Sequence, residues 1–239
     1  MKFFFFSFLL LLATTATRAQ DAALLAAEQA RGILTGSGVR WTVNVTGNKN
    51  AKFVATSQGG KIFAEVIEPA DAQGRKYLAE SDGNMWFWKP GLSRPVAVSK
   101  RQRLSGDAAI GDIASTSYVD GYKITGTEDG EVNGEAATIY TMEANSLGDT
   151  YAKIRYWVTK NGNLGKKAEF YAKSGNLVRS SVMEYNNKAS GKPFLSKMVV
   201  SDSGTNITLT FSDVSIGDYP SSLFKRESLG GPKSSGLPK

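Results

Sequence analysis

With histidine and cysteine missing, the paired side chains to weigh first for acid–base work in this sequence are its carboxylates. No histidine and no cysteine occurs among the 239 residues. A Ser-His-Asp or Cys-His arrangement is therefore excluded, as are a His-ligated metal, a thiol nucleophile and a thiolate metal site. Two carboxylates facing each other across a sugar-sized cleft would suffice for glycoside hydrolysis. The candidates Glu65, Glu68, Asp82 and Glu169 sit in polar or alternating contexts that suit the solvated face of a strand. The run "TEDGE", 127–131, offers Glu128, Asp129 and Glu131 to calcium but lacks the spacing of a calcium loop, and reads as a solvated turn. "LSGDAAIGD" has glycines without a phosphate-loop lysine or a GxGxxG pattern. The sequons at Asn44 and Asn206 fall inside predicted strands. No catalytic residue, metal site or cofactor is expected.

The N-terminus reads as an address. Lys2 precedes an apolar run, Phe3 to Leu12, and Thr17-Arg18-Ala19 places small residues where a signal peptidase cuts. The run is shorter than the roughly 20 residues a membrane span needs. Residues 1–19 are thus expected to be a cleaved signal peptide. The formal charge of +7 would fall to +5 with the loss of Lys2 and Arg18. A modest, scattered basic balance gives no reason to expect nucleic acid as a partner. Without cysteine, the core alone must hold an exported fold.

Behind that address the chain reads as one helix followed by strands. "QDAALLAAEQARGIL" places Ala23, Ala26, Ala27, Ala30, Ile33 and Leu34 in one stripe, with Asp21, Glu28 and Arg31 away from it. From Val39 the period changes. Strands are predicted at 39–46, 53–57, 61–67, 76–82, 84–88, 95–98, 121–127, 136–144, 151–159, 164–173, 177–186, 195–202 and 205–213. Turn signals such as "SQGG", "SDGN", "EDGEVNG", "KNGN", "KSGN" and "DSGT" separate them. Residues 105–118 suggest a short helical turn or lid-like loop. The Gly-, Pro- and Ser-rich end, 230–239, is expected to be a disordered tail, leaving 20–229 as a single domain.

The C-terminal strands alternate. Ile154, Tyr156 and Val158 share one face, as do Ile207, Leu209 and Phe211, against polar neighbours. An apolar sheet face under one thin helix must curl to hide itself. A curled sheet encloses either a hollow for an apolar ligand or a filled core, and patterning alone leaves both open. The stretch "NMWFWKPG", 84–91, is apolar on both faces, so either pair, Trp86 with Trp88 or Met85 with Phe87, could point inward.

Several stretches resemble the outer-membrane lipoprotein-sorting proteins, the LolA-like periplasmic carriers. The likeness spans about residues 60 to 229. It rests on Gly74, Arg75 and Leu78, on Asp82 to Trp86 with Pro90, on Arg101 to Asp107 with Asp112-Ile113, on "YAKIRYWVTKNGNLGKKAEFYAKSGNLVRS", and on "SLFKRESL" at 222 to 229. Ala108 and Ala109 depart from the bulkier residues of that family. The resemblance implies a mainly β fold: a strongly curved antiparallel sheet, an incomplete barrel, with helices covering its concave opening. It also implies a monomeric periplasmic carrier of lipid or lipoprotein acyl chains, working without catalysis. An inner-membrane lipid exporter or permease is the implied partner, with transient membrane contact. The alternative is a non-catalytic envelope sensor on the same fold, acting through a protein partner. On the carrier reading, the candidate cavity lining is Trp86, Trp88, Ile139, Ile154, Tyr156, Val158, Phe170, Ile207, Leu209 and Phe211. Lys100, Arg101 and Arg103 are candidates for head-group or partner contact.

Overall fold

The computed structural model describes residues 22–33, 36–47, 50–99, 117–146, 149–202 and 204–230. Expected features at 1–19, 100–116 and 231–239 lie outside the described residues, Lys100, Arg101 and Arg103 among them.

A helix, α1, occupies residues 22–30. It is followed by β1 (Gly38–Thr46), β2 (Ala51–Gln58), β3 (Lys61–Glu68), β4 (Lys76–Ala79), β5 (Met85–Trp88) and β6 (Val96–Ala97). Then come β7 (Tyr122–Val132), β8 (Glu135–Ala144), β9 (Lys153–Thr159), β10 (Gly165–Tyr171) and β11 (Leu177–Glu184). The chain ends with β12 (Asn187–Ala189), β13 (Lys192–Phe194), β14 (Lys197–Asp202), β15 (Thr205–Gly217) and two 3-10 turns, Ser221–Phe224 and Arg226–Gly230. Every predicted strand is present, because alternation bounded by turn residues is a local signal.

Two differences have local causes. Strand β7 runs to Val132 instead of ending at 127. The turn of "EDGEVNG" is only Asn133-Gly134, whose φ values of 52° and 79° fit a two-residue hairpin. Glu128 and Asp129 therefore sit in a strand, pointing to opposite faces, and do not converge on one ion. The second difference is the β12–β13 hairpin, which lies where no strand was predicted.

Thirteen strands form one sheet in the order β6-β5-β4-β3-β2-β1-β15-β14-β11-β10-β9-β8-β7, every pairing antiparallel. Two meanders thus meet where β1 pairs with β15, and β6 and β7 form the sheet's two edges. The sheet is not closed into a barrel. It is nevertheless rolled. One face contributes buried residues from β2 through β8 in sheet order to a single cluster that also contains Leu24 and Ala27 of α1. Laid flat, those strands would spread over roughly 34 Å, whereas α1 is only about 13 Å long. The β4–β5 turn and the start of β7, far apart in strand order, also line one cavity of about 190 Å³.

Candidate ligand-binding interior

Pairing register shows which side chains share the face turned toward α1. Tyr140, Tyr156, Ala168 and Ser181 form one row across β8 to β11. Met183, Met198, Leu209 and Val45 form another across β11, β14, β15 and β1. On the other side of β1, the row Trp41, Ala55, Ala64, Tyr77 and Phe87 carries the same face out to β5. Aromatic and methionine side chains fill the space between α1 and this floor.

Two devices hold α1 in place. The first is polar. Glu28 and Arg31, read from the sequence as the solvent face of the helix, are 0% and 1% exposed. Arg31 Nη1 donates to Glu28 Oε1 at 2.6 Å, and the Tyr118 N–H donates to Glu28 Oε2 at 2.8 Å. The guanidinium lies 3.4 Å from the Tyr118 ring centroid. Burial works against the Arg31 charge, but Glu28 and the surrounding tyrosines overcome it and hold the group above its usual pKa. The correction to the helix is physical. Alanine offers little area to bury, so the residues that fill the space beneath α1 are the long ones. Leu25, in contrast, is exposed.

The second device is the β12–β13 hairpin. Leu195 N–H donates to Ala30 O at 2.9 Å. Phe194 packs edge-on against Trp41, with centroids 5.4 Å apart, and abuts Gly32. Asn187 Nδ2 donates to Leu195 O and Phe211 O, tying the hairpin to β15.

Tyr118 stands edge-on to Tyr156 and Phe170 at 5.2 and 5.3 Å, so the segment bonded to Glu28 also plugs the floor. Tyr185 donates its hydroxyl to Gly165 O at 2.7 Å. A Cβ on Gly165 would come within 1.8 Å of the Tyr156 oxygen, so glycine there is what lets Tyr156 lie down along β10. Burial pushes the Tyr156 hydroxyl well above its usual pKa, keeping it neutral.

Of the expected lining residues, Ile154, Tyr156, Val158, Phe170, Leu209 and Phe211 are buried in this central cluster, and Ile207 packs against it. Three others are elsewhere. Trp86 and Trp88 lie on the opposite face with Phe63 and Leu78, covered by Leu223, Phe224 and Leu229 of the 3-10 turns. Ile139 lies in a third cluster with Val132, Ala137 and Trp157, because its neighbours Tyr140 and Met142 take the inward positions of β8. Interior residues missed by the sequence reading include Trp41, Tyr118, Met142, Met183 and Phe194. Alternation along "ATIYTMEA" would have found Met142. Nothing local marks Tyr118.

The 190 Å³ cavity has a different character. Glu80, Asp82, Asp120 and Asp149 line it beside Met85 and Tyr122. Glu80 accepts from Trp86 Nε1 at 2.7 Å, and Asp82 accepts from the Asn84 backbone N–H at 2.9 Å. Among the described residues, no group of three or more carboxylates is placed to hold a metal ion.

Residues 59–230 match the model of a family described as an uncharacterized protein. The chain belongs to that family. Its fold is LolA-like. A LolA superfamily protein from Nitrosomonas europaea superposes with a TM-score of 0.72 at 24% identity, over 86% of this chain and 96% of its own. A putative outer membrane lipoprotein-sorting protein domain from Vibrio parahaemolyticus gives 0.71 at 17% identity, over 85% and 96%. A DUF1329 family protein from Desulfovibrio piger gives 0.67 at 21% identity, over 87% and 98%. No curated protein matches this sequence. The mainly β fold, a curved antiparallel sheet not closed into a barrel, is the one the resemblance implied; among the described residues α1 is the helix that covers its inward face.

Proposed function

We propose that this protein is a periplasmic carrier that binds the acyl chains of a lipid or lipoprotein between α1 and the inward face of the sheet, and shuttles its cargo toward the outer membrane without catalysis. One observation supports this most. A continuous apolar face, drawn from most of a rolled but unclosed sheet, is covered, among the described residues, by the short alanine-rich α1 together with Tyr118 and the β12–β13 hairpin. Such a cover is small enough to move. Each methylene taken from water then contributes about 0.8 kcal/mol, so one long chain is enough to offset the displaced packing. The described interior is filled by side chains, so this conformation is the closed one, and loading requires α1 and Tyr118 to give way. An inner-membrane lipid exporter or permease would supply the cargo.

The filled interior also favours a second reading, an envelope-sensing module that works through a protein partner and never opens. One experiment separates the two. Protein purified from a periplasm is measured by native mass spectrometry, then delipidated and titrated with cis-parinaric acid. A carrier retains copurifying lipid and takes up the probe. A chain that does neither is not a carrier.

A further inference from the structure

One strand of the floor carries a charge where its neighbours carry apolar groups. Pairing register places Ile124, Met142, Ile154, Phe170 and Arg179 in one row across β7 to β11. Met142, Ile154 and Phe170 belong to the central cluster, and Ile124 packs against it. Residues directly opposite on adjacent strands share a face, so Arg179, 5% exposed, is turned inward. A bulge adds to this. Phe170 faces Arg179 while Tyr171 faces Leu177, which leaves Val178 as the extra residue, and Val178 also packs against the central cluster. Four charged residues are buried among the described ones. Glu28 and Arg31 lie on α1 and neutralise each other, and Lys76 pairs with Trp88 on the outward face. Arg179 is thus the buried charge of the floor.

Its partners run from dry to wet. Arg179 Nη1 donates to the Tyr151 hydroxyl at 3.1 Å, and the Tyr151 ring lies 4.8 Å from that of Phe170. Nε donates to Asp202 Oδ2 at 2.8 Å, and Nη2 lies 2.7 Å from the same oxygen. The Asp202 side chain is 29% exposed at the end of β14, so the cation is inside and its counter-ion stands at the rim. A buried ion pair adds little stability over apolar residues of similar size. A guanidinium set in an apolar surface, in contrast, recognises an oxyanion through paired, charge-assisted bonds.

We propose that Arg179 anchors the anionic head of the cargo, a carboxylate or a phosphate, which takes the place of Asp202 while the acyl chain crosses Phe170, Ile154 and Met142. The inference rests on the acyl-chain reading above and narrows its cargo to lipids with an anionic head. From Arg179 to Met142 the row offers roughly 14 Å of floor at the usual spacing of neighbouring strands. Tyr118 covers Phe170 in the closed form, and its N–H is bonded to Glu28. A displaced α1 that carries Tyr118 with it uncovers the floor beside the guanidinium. Exchanging one anion for another keeps Arg179 paired throughout. A neutral ester leaves Arg179 on Asp202 and gains no ionic bond.

The test titrates the protein with cis-parinaric acid and with its methyl ester, read by probe fluorescence. Wild type should bind the acid about tenfold more tightly, the size of effect expected of one hydrogen bond to a charged group. Arg179→Gln should bring that preference to unity and leave ester affinity unchanged. Since this variant strips Asp202 of its cation, Arg179→Gln with Asp202→Asn gives a neutral background and should behave alike. Asp202→Asn alone should widen the preference, because the acid no longer competes for the guanidinium. An equal change for both probes in that variant assigns the pair a structural role and overturns the anchor. Competition by palmitate and by hexadecyl phosphate then tells a carboxylate head from a phosphate head. Equal binding of acid and ester by wild type, or a preference that survives Arg179→Gln, overturns the anchor and leaves the carrier reading standing. If wild type binds neither probe, the carrier reading fails and the anchor with it.

Discussion

Two faces of one sheet are covered by short helical pieces, and the covers are built differently. On the inward face α1 brings a buried ion pair and a backbone hydrogen bond from Tyr118, over a floor of tyrosine, methionine and phenylalanine. On the outward face the C-terminal 3-10 turns bring Leu223, Phe224 and Leu229 onto Phe63, Leu78, Trp86 and Trp88. Polar groups there sit at the margin: Arg226 lies 4.7 Å from the Trp86 ring, and Trp88 Nε1 donates to Leu92 O at 3.0 Å. An apolar cover is held by area and gains little by leaving. The buried ion pair is internal to the helix segment, so Glu28 and Arg31 travel together, and the segment is tied to its surroundings by the Tyr118 N–H on Glu28 and the Leu195 N–H on Ala30 O. On the carrier reading proposed above, the inward cover is the one that would move.

The sharpest way to break that contrast is Arg31→Met. It leaves Glu28 buried without its cation and should cost about 3–5 kcal/mol in chemical denaturation, whereas Glu28→Leu with Arg31→Met should recover most of the loss. If the single substitution is nearly neutral, the ion pair does not pin α1. Next in size, Leu229→Ala, fully buried in the outward cluster, should cost about 2–4 kcal/mol while leaving parinaric acid affinity unchanged. A matching loss of affinity would mean that the two covers are coupled. Trp86→Phe removes the bond to Glu80 and weakens the contact with Arg226, and should lower stability by about 1 kcal/mol, again without affecting ligand.

The smallest effect tests the outward surface away from either cover. Burial opposes ionisation of Glu169, but Lys167 at 2.7 Å and the Tyr171 hydroxyl at 2.6 Å outweigh it and hold the carboxyl below its usual 4.5. The stability this contributes is present above pH 4.5 and is lost as pH falls through the depressed value. Glu169→Gln should lower the melting temperature slightly near pH 7, flatten the acid limb, and converge on wild type at low pH.

What could be read from the sequence divides along the same line. Strands and turns were legible because alternation and Asn-Gly or Gly-rich punctuation act within a few residues. The inward positions of β9 and β15 were legible because each strand has one polar face. Strand β5 was not, since "MWFW" is apolar both ways and its orientation depends on pairing Trp86 with Leu78 and on a cover more than a hundred residues later. Glu28 and Arg31 were misread for a similar reason. A charged pair on a short helix looks solvated until its partner, ninety positions away at Tyr118, is placed beside it. Ile139 was chosen for its apolarity, but the neighbouring Tyr140 and Met142 decide which way β8 faces.

The meeting of β1 with β15 also governs the order of assembly. Thr42 lies opposite Ser212, so the central seam joins the two ends of the folding unit. Each meander can zip locally, but the loop closed by that seam is nearly the whole domain, and loop-closure entropy must be met before the contact rewards it. The chain cannot complete its sheet during synthesis until the last strand has emerged. Until then β1 and β14 each present a bare edge, and a chain truncated before Thr205 would keep both edges open to aggregation.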